Sequence, residues 1–96
     1  MTLEKEHVLE FLANNKDHLE QAYGVKRIGL FGSVARGEST ANDLDIIVEM
    51  PNPTFDHYMD LKFELEDKFA IPVDLVLDGN LKEIIKDQVM EEVIYA

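Results

Sequence analysis

Two segments of the chain combine an apolar strand pattern with acidic residues that strands normally avoid. Asp43 and Asp45 lie two residues apart in Asn42–Val48, and Asp74 interrupts the apolar segment 71–77. Aspartate is depleted in strands, so these three residues need a physical reason. Side chains at i and i+2 of a strand share a face, with Cα atoms about 6.5–7 Å apart. Asp43 and Asp45 are therefore predicted to project side by side, while the apolar residues beside them face a core.

Carboxylates this close repel one another unless a positive charge lies between them. Mg²⁺ fits this role because it binds a few carboxylates together with phosphate oxygens and water. Gly32 and Ser33 lie just upstream, at a predicted strand-to-helix turn where backbone N–H groups can hold a phosphate. Together these features indicate a phosphoryl or nucleotidyl transfer site. Taken singly, each has a plainer reading: solvated strand charges, an ordinary helix cap, or a structural acid at Asp74.

Composition narrows the class of protein. The chain has 96 residues, which predicts one domain over 1–96. It has no cysteine, which excludes disulfides, thiolate zinc sites and cysteine nucleophiles and agrees with a cytoplasmic location. No apolar run approaches the roughly 20 residues of a membrane-spanning helix. A chain this small is expected to take part of a second substrate site from a partner or from a self-dimer.

The charge is strongly acidic, with 20 acidic residues against 9 basic ones and a formal net charge of −11. The basic residues are scattered, whereas a nucleic-acid binder carries a basic patch, so direct nucleic-acid binding is not expected. A nucleotide carried with Mg²⁺ and a basic protein partner are both compatible with this charge. The three histidines are far apart in sequence and are expected at the surface, as are Glu91 and Glu92.

Apolar periodicity predicts the element order α-β-α-β-α-β-α, an α/β (α+β) fold with one layer of helices on a small mixed sheet. The expected helices cover about 3–22, 55–69 and 81–91. Residues 32–37 are expected to form a turn into a short helix that is broken at Gly37. The expected strands cover about 25–31, 43–49 and 71–77, with a polar loop at 38–42. Residues 93–95 either extend the last helix or form a short edge strand.

The motif Gly32-Ser33, followed by Asp43-x-Asp45 and a later strand Asp74, resembles the DNA polymerase β-type nucleotidyltransferase superfamily. The longer strings 31–38 and 73–76 resemble its smallest branch, the minimal nucleotidyltransferases that serve as antitoxins in HEPN/MNT toxin–antitoxin pairs. The resemblance covers roughly residues 24–96. One departure is a Ser33-to-Asp43 spacer one residue shorter than the usual form.

The resemblance implies the polymerase β palm-like fold and a role for each matching residue. Gly32 would let the backbone approach the triphosphate of ATP, and Ser33 would donate its hydroxyl to a phosphate oxygen. Asp43 and Asp45 would bind two Mg²⁺ ions, and Asp74 would bind the ion nearer the attacking hydroxyl. Arg36 either reaches a phosphate or pairs with Glu38 or Asp43.

The resemblance also implies a function. The chain is expected to be a Mg²⁺-dependent nucleotidyltransferase that moves AMP from ATP to a hydroxyl, expected to be a tyrosine, of a cognate HEPN ribonuclease toxin. The alternative is an antitoxin that neutralises the toxin by binding alone and keeps a relic nucleotide site. Retention of all three aspartates favours chemistry.

Overall fold

The two acid-bearing strands lie next to each other in one four-stranded sheet. The computed structural model describes residues 4–38, 42–80 and 83–96. The strands are β1 (Arg27–Phe31), β2 (Leu44–Glu49), β3 (Val73–Leu77) and β4 (Ile94–Tyr95). Their order across the sheet is β3-β2-β1-β4. β1 is antiparallel to β2 and to β4, while β2 and β3 are parallel. The predicted mixed sheet is confirmed.

Among the described residues five helices accompany these strands, and their order is the predicted one except that the first helix is divided in two and a fourth strand follows the last helix. They are α1 (Lys5–Asn14), α2 (Lys16–Tyr23), α3 (Gly32–Ala35), α4 (Phe55–Phe69) and α5 (Glu83–Glu92), with a 3₁₀ turn at Asp78–Asn80. Thr54 caps the start of helix α4, and its hydroxyl accepts a hydrogen bond from the His57 N–H at 3.1 Å. This N-cap satisfies one backbone donor that has no partner within the helix.

The single helix predicted over 3–22 is wrong in one respect, because the chain forms two helices separated at Asn15. The Asn15 side chain donates a hydrogen bond to the Phe11 carbonyl at 2.8 Å. Asparagine side chains compete in this way with the helical backbone pattern, which explains the interruption. Apolar spacing continues across the break, so periodicity alone did not reveal it.

One face of the sheet forms the main core. β2 points Leu44, Ile46 and Val48 into it, and all three are fully buried. Helices α1, α2 and α4 cover this face with fully buried aliphatic side chains: Val8, Leu12, Leu19, Leu61 and Leu65. The alternation of buried and less buried residues along β2 is the pattern expected of a strand with one face on a core.

The opposite face is covered differently. Ile47 and Val89 are buried but lie apart from the main cluster. Val93, directly after α5, comes within 2.9 Å of where a Cβ on Gly29 would stand. Gly29 pairs with Ile47, so this contact lies on the Ile47 face. The single helical layer expected from the sequence therefore covers one face, and the end of α5 approaches the other.

Several boundaries differ from the predictions by one or two residues. β1 begins at Arg27 rather than Val25, and β2 begins at Leu44, so that Asp43 directly precedes the strand. The open alternative for residues 93–95 resolves as strand β4, which pairs Tyr95 with Gly29. Predictions for residue 3, for most of the 38–42 loop and for residues 81–82 fall outside the described residues. None of the described helices is long and apolar enough to cross a membrane.

Candidate active site

The parallel pairing of β2 with β3 brings the predicted acidic residues together. Asp45 and Asp74 are register partners, so their side chains emerge side by side from neighbouring strands on the same face. Asp43 precedes β2 and is exposed, as is Asp74, while Asp45 is only partly exposed. Asp43 and Asp45, which are neighbours in sequence, thus lie with Asp74 from a distant strand at one end of the sheet.

The electrostatics of Asp45 show that these carboxylates act on one another. Burial first, and then the negative charges of Asp43 and Asp74, raise the pKa of Asp45 from 3.8 to about 6. The Arg36 guanidinium opposes this shift and lowers the same pKa, but it does not cancel it. The site therefore holds more negative charge than its own cationic side chains neutralise, which is the environment that a divalent cation relieves.

The turn at Gly32 brings backbone against Asp45. β1 ends at Phe31, which pairs with Asp45 across the sheet, and Gly32 follows with φ +75°. A Cβ at Gly32 would stand only 2.8 Å from Asp45 Cγ, closer than real side chains approach. Both the positive φ and the close contact require glycine here. Ser33 follows as a partly exposed residue in the first turn of α3.

Arg36 lies at the end of α3 and makes two ion pairs. Its Nε donates to Glu38 at 2.6 Å, and its Nη1 donates to both carboxylate oxygens of Glu92 at 3.1 Å. Of the two predicted alternatives for Arg36, pairing with Glu38 is therefore present in the structure. No ion pair of Arg36 with Asp43 is found among the described residues.

Glu92 is the residue of this region that sequence reasoning missed. It was expected to be a solvated surface residue, and its side chain is partly exposed but also hydrogen-bonded. Its Oε2 accepts a hydrogen bond from the Gly32 N–H at 2.9 Å, in addition to the contacts with Arg36. Sixty residues separate the two partners. No local pattern indicates such a contact, because it arises only when β4 returns the chain to β1.

The chemistry of the donor set fits magnesium, although no preformed cage is present. Among residues 4–38, 42–80 and 83–96, no three acidic or histidine side chains converge closely enough to hold a metal ion. Carboxylate oxygens on adjacent strands are nevertheless the ligands that Mg²⁺ prefers, and Asp43 and Asp74 are both exposed beside Asp45.

The histidines take no part in this site. His7, His18 and His57 are all exposed, as predicted. His18 Nε2 and the Tyr23 hydroxyl both lie 2.8 Å from Glu64 Oε1, in a polar cluster that links α2 to α4. Burial, followed by the hydrogen bond to Glu64, raises the pKa of Tyr23 to about 12. This cluster belongs to helix packing on the far side of the sheet.

Comparison with protein families shows which family the chain belongs to. The family model for the nucleotidyltransferase domain matches residues 12–96. The chain belongs to this family. It is therefore a nucleotidyltransferase, as the sequence predicted, and the described acids lie within the matched region.

The relatives of this nucleotidyltransferase include small proteins that match it over nearly their whole length. It is 36% identical over 92 residues to the protein adenylyltransferase MntA of Thermococcus cleftensis, covering 94% of this chain and 93% of that protein. A solved structure of a proposed minimal nucleotidyltransferase is 33% identical, with a TM-score of 0.71, covering 90% of this chain and 93% of that one. The fold predicted from the sequence is confirmed.

A second solved structure shares the fold at lower identity. It is a complex of a tri-AMPylated HEPN toxin of Shewanella oneidensis with an MNT antitoxin. The match is 21% identical with a TM-score of 0.64, and it covers 91% of the nucleotidyltransferase and 70% of that chain.

Proposed function

We propose that the nucleotidyltransferase transfers AMP from ATP to a tyrosine hydroxyl of a cognate HEPN ribonuclease toxin and thereby acts as its antitoxin. The observation that carries the proposal is the register pairing of Asp45 with Asp74 beside the Gly32 turn. This pairing joins a carboxylate site to a turn whose backbone can approach phosphate, and nucleotidyl transfer needs both.

Each residue at the turn has a role in holding the triphosphate. The Gly32 N–H and the Ser33 hydroxyl donate to phosphate oxygens, and Arg36 adds a charge that α3 holds nearby. Charge-assisted hydrogen bonds of this kind are stronger than those between neutral groups. Because Gly32 has no Cβ, the polyphosphate can lie close to the backbone beside Asp45.

The acids orient the reacting groups. Asp43, Asp45 and Asp74 would hold two Mg²⁺ ions, which when bound polarise the phosphoryl oxygens and offset the charge of the triphosphate. Asp74, exposed at the edge strand, accepts the proton of the attacking hydroxyl. The hydroxyl oxygen then bonds to the α-phosphorus, the bond from that phosphorus to the bridging oxygen breaks, and pyrophosphate leaves with the bond electrons.

The proposed partner rests on relatives and on charge. The Thermococcus cleftensis relative is named a protein adenylyltransferase, and the Shewanella oneidensis complex contains an AMPylated HEPN toxin. A net charge of −11 favours association with a basic protein surface. A hetero-oligomer with the toxin would also bring the acceptor hydroxyl to the acidic residues.

The test is intact-mass measurement of the toxin after incubation with the full chain, ATP and Mg²⁺. We expect the toxin to gain the mass of one or more AMP groups. The double variant Asp43→Asn/Asp45→Asn should slow the transfer by about 10³-fold or more, which is the scale of losing the main electrostatic stabilisation of a transition state. The matched control is Asp67→Asn, which removes an exposed charge on α4 and should leave the rate unchanged.

Two results would contradict the proposal in different ways. If the toxin gains no AMP, and the double variant still neutralises it in cells, the chain acts by binding alone, as its acidic surface would allow. If AMP is added equally well by the double variant, the transfer takes place elsewhere and the assigned acids are wrong.

A further inference from the structure

The proposed phosphate-binding groups already hold an anion that belongs to the chain itself. The Glu92 carboxylate accepts the Gly32 N–H at 2.9 Å and contacts Arg36 Nη1 through both oxygens at 3.1 Å. A carboxylate and a phosphate bind the same donors, because both present charged oxygens to N–H groups. Glu92 therefore lies where the proposed function places a phosphate of ATP.

The end of α5 and the residues that follow it hold Glu92 in this position. Glu92 ends α5, and the next residue, Val93, packs against Gly29 of β1. Tyr95 of β4 pairs with Gly29 of β1, and the centre of the Tyr95 ring lies 3.7 Å from the Arg27 guanidinium carbon. The carboxylate is thus tethered close to its donors, and tethering gives it a high effective concentration there.

The charges around Glu92 argue against the view that its ion pair with Arg36 only stabilises the fold. The charge of Glu92 is one of the influences that raise the pKa of Asp45, so it adds to the repulsion among the acids. An ion pair that served only to fix α5 would be better placed away from three other carboxylates. Arg36 and Glu92 are also partly exposed, at 49% and 32%, so the pair contributes little stability by itself.

We propose that Glu92 is an internal competitor of the nucleotide, which must leave Gly32 and Arg36 before the triphosphate binds. The inference rests on the proposed function, because it concerns the same phosphate-binding groups. Glu92 sets the affinity of the site, because a bound nucleotide replaces one carboxylate with several phosphate oxygens and must first displace the Glu92 side chain from its donors.

Calorimetric titration of the full chain with ATP and Mg²⁺ tests this. Glu92→Gln removes the charge that holds the side chain to Arg36, and we expect it to tighten nucleotide binding by about tenfold, the scale of a solvent-screened ion pair plus one charge-assisted hydrogen bond. Glu92→Asp shortens the side chain by one methylene but keeps the charge, and it should also tighten binding. The matched control, Glu91→Gln, changes an exposed neighbour and should leave affinity as it is.

A second readout does not depend on nucleotide. The amide proton of Gly32 should shift in the NMR spectrum of ligand-free Glu92→Gln and Glu92→Asp, and should stay in place in Glu91→Gln. Thermal unfolding of each variant shows that the compared proteins are folded.

Two outcomes distinguish a failure of this inference from a failure of the proposed function. If the wild-type chain binds ATP with Mg²⁺ and both Glu92 variants bind it equally or more weakly, Glu92 is not a competitor and the inference is overturned, while the proposed function stands. If neither the wild-type chain nor any variant binds the nucleotide, the proposed function itself fails, and the inference fails with it.

Discussion

The two faces of the sheet carry different kinds of side chain, although β2 contributes residues to both. β2 sends Ile46 and Val48 into a core where both are fully buried. The same strand sends Asp45 to the other face, beside Asp74 on β3. The first face is filled by aliphatic side chains from three helices, whereas the second carries acids, the Gly32 turn and Arg36 at the end where Asp45 lies.

The difference separates what stabilises the protein from what does its chemistry. Apolar burial contributes roughly 25 cal/mol per Å² removed from water, so the core face supplies most of the favourable free energy of folding. On the acidic face, burial first and then the charges of Asp43 and Asp74 raise the pKa of Asp45. Substitutions on the first face should therefore lower stability, and neutralising Asp45 on the second should raise stability while abolishing activity.

The largest expected effect on stability comes from the core face. Val48→Ala should lower the free energy of unfolding by about 2–3 kcal/mol, because it removes buried methyl groups and leaves a cavity. Val76→Ala, on the other face of the neighbouring strand and only partly buried, is the matched control and should cost about 1 kcal/mol or less. Urea unfolding of both variants measures the difference, and equal losses would remove the distinction between the faces.

Gly32→Ala should have the next largest effect, at about 2 kcal/mol, from a strained positive φ and from contact with Asp45. Gly24→Ala is the control because Gly24 has a similar φ, +73°, but nothing lies within 4 Å of an added Cβ. It should cost about 1 kcal/mol, from backbone strain alone. Thermal unfolding compares the two, and a Gly24 variant as unstable as the Gly32 variant would mean that the Asp45 contact has no cost.

The smallest expected effect has the opposite sign. The pKa of Asp45 is about 6 in the folded protein against 3.8 as its ordinary value, so the unfolded chain ionises first as the pH rises. The wild type therefore loses stability between about pH 4 and pH 6 through this group. Asp45→Asn cannot ionise, and at pH 7.5 it should be more stable by about 1–2 kcal/mol, a value reduced for the partial exposure of Asp45.

The pH dependence supplies the control for this prediction. At pH 3.5 Asp45 is protonated in the folded protein and mostly protonated in the unfolded chain, so variant and wild type should have nearly the same free energy of unfolding. Asp67→Asn, which removes an exposed acid, should follow the wild type at both values. An Asp45→Asn protein that is less stable than the wild type at pH 7.5 would show that the ionised carboxylate is satisfied by its neighbours.

Much of this architecture could be predicted from the sequence because its signals are local. Alternation within 43–49 and apolar spacing within 55–69 each predict an element without knowledge of the rest of the chain. Asp43 and Asp45 are two residues apart, so their proximity follows from strand geometry alone. Asp74 was recognisable because it interrupts an apolar strand, and parallel pairing then places it beside Asp45.

What could not be predicted depends on contacts between distant residues or on competition within one turn. The contact of Glu92 with Gly32 spans 60 residues, and it exists only because β4 pairs with β1. The break at Asn15 depends on one side-chain hydrogen bond that outweighs a continuous helical pattern. The roles of Asp43, Asp45, Asp74, Gly32, Ser33 and Arg36 in catalysis stay predictions that rest on their placement.

The most direct test of the acidic face is calorimetric titration with ATP in the presence of Mg²⁺ and, separately, of a chelator. The account predicts that the wild-type chain binds ATP only when Mg²⁺ is present, and that Asp43→Asn/Asp45→Asn abolishes this binding while the protein stays folded. Equal affinity with the chelator, or undiminished binding by the double variant, would show that these carboxylates do not hold a metal–nucleotide complex.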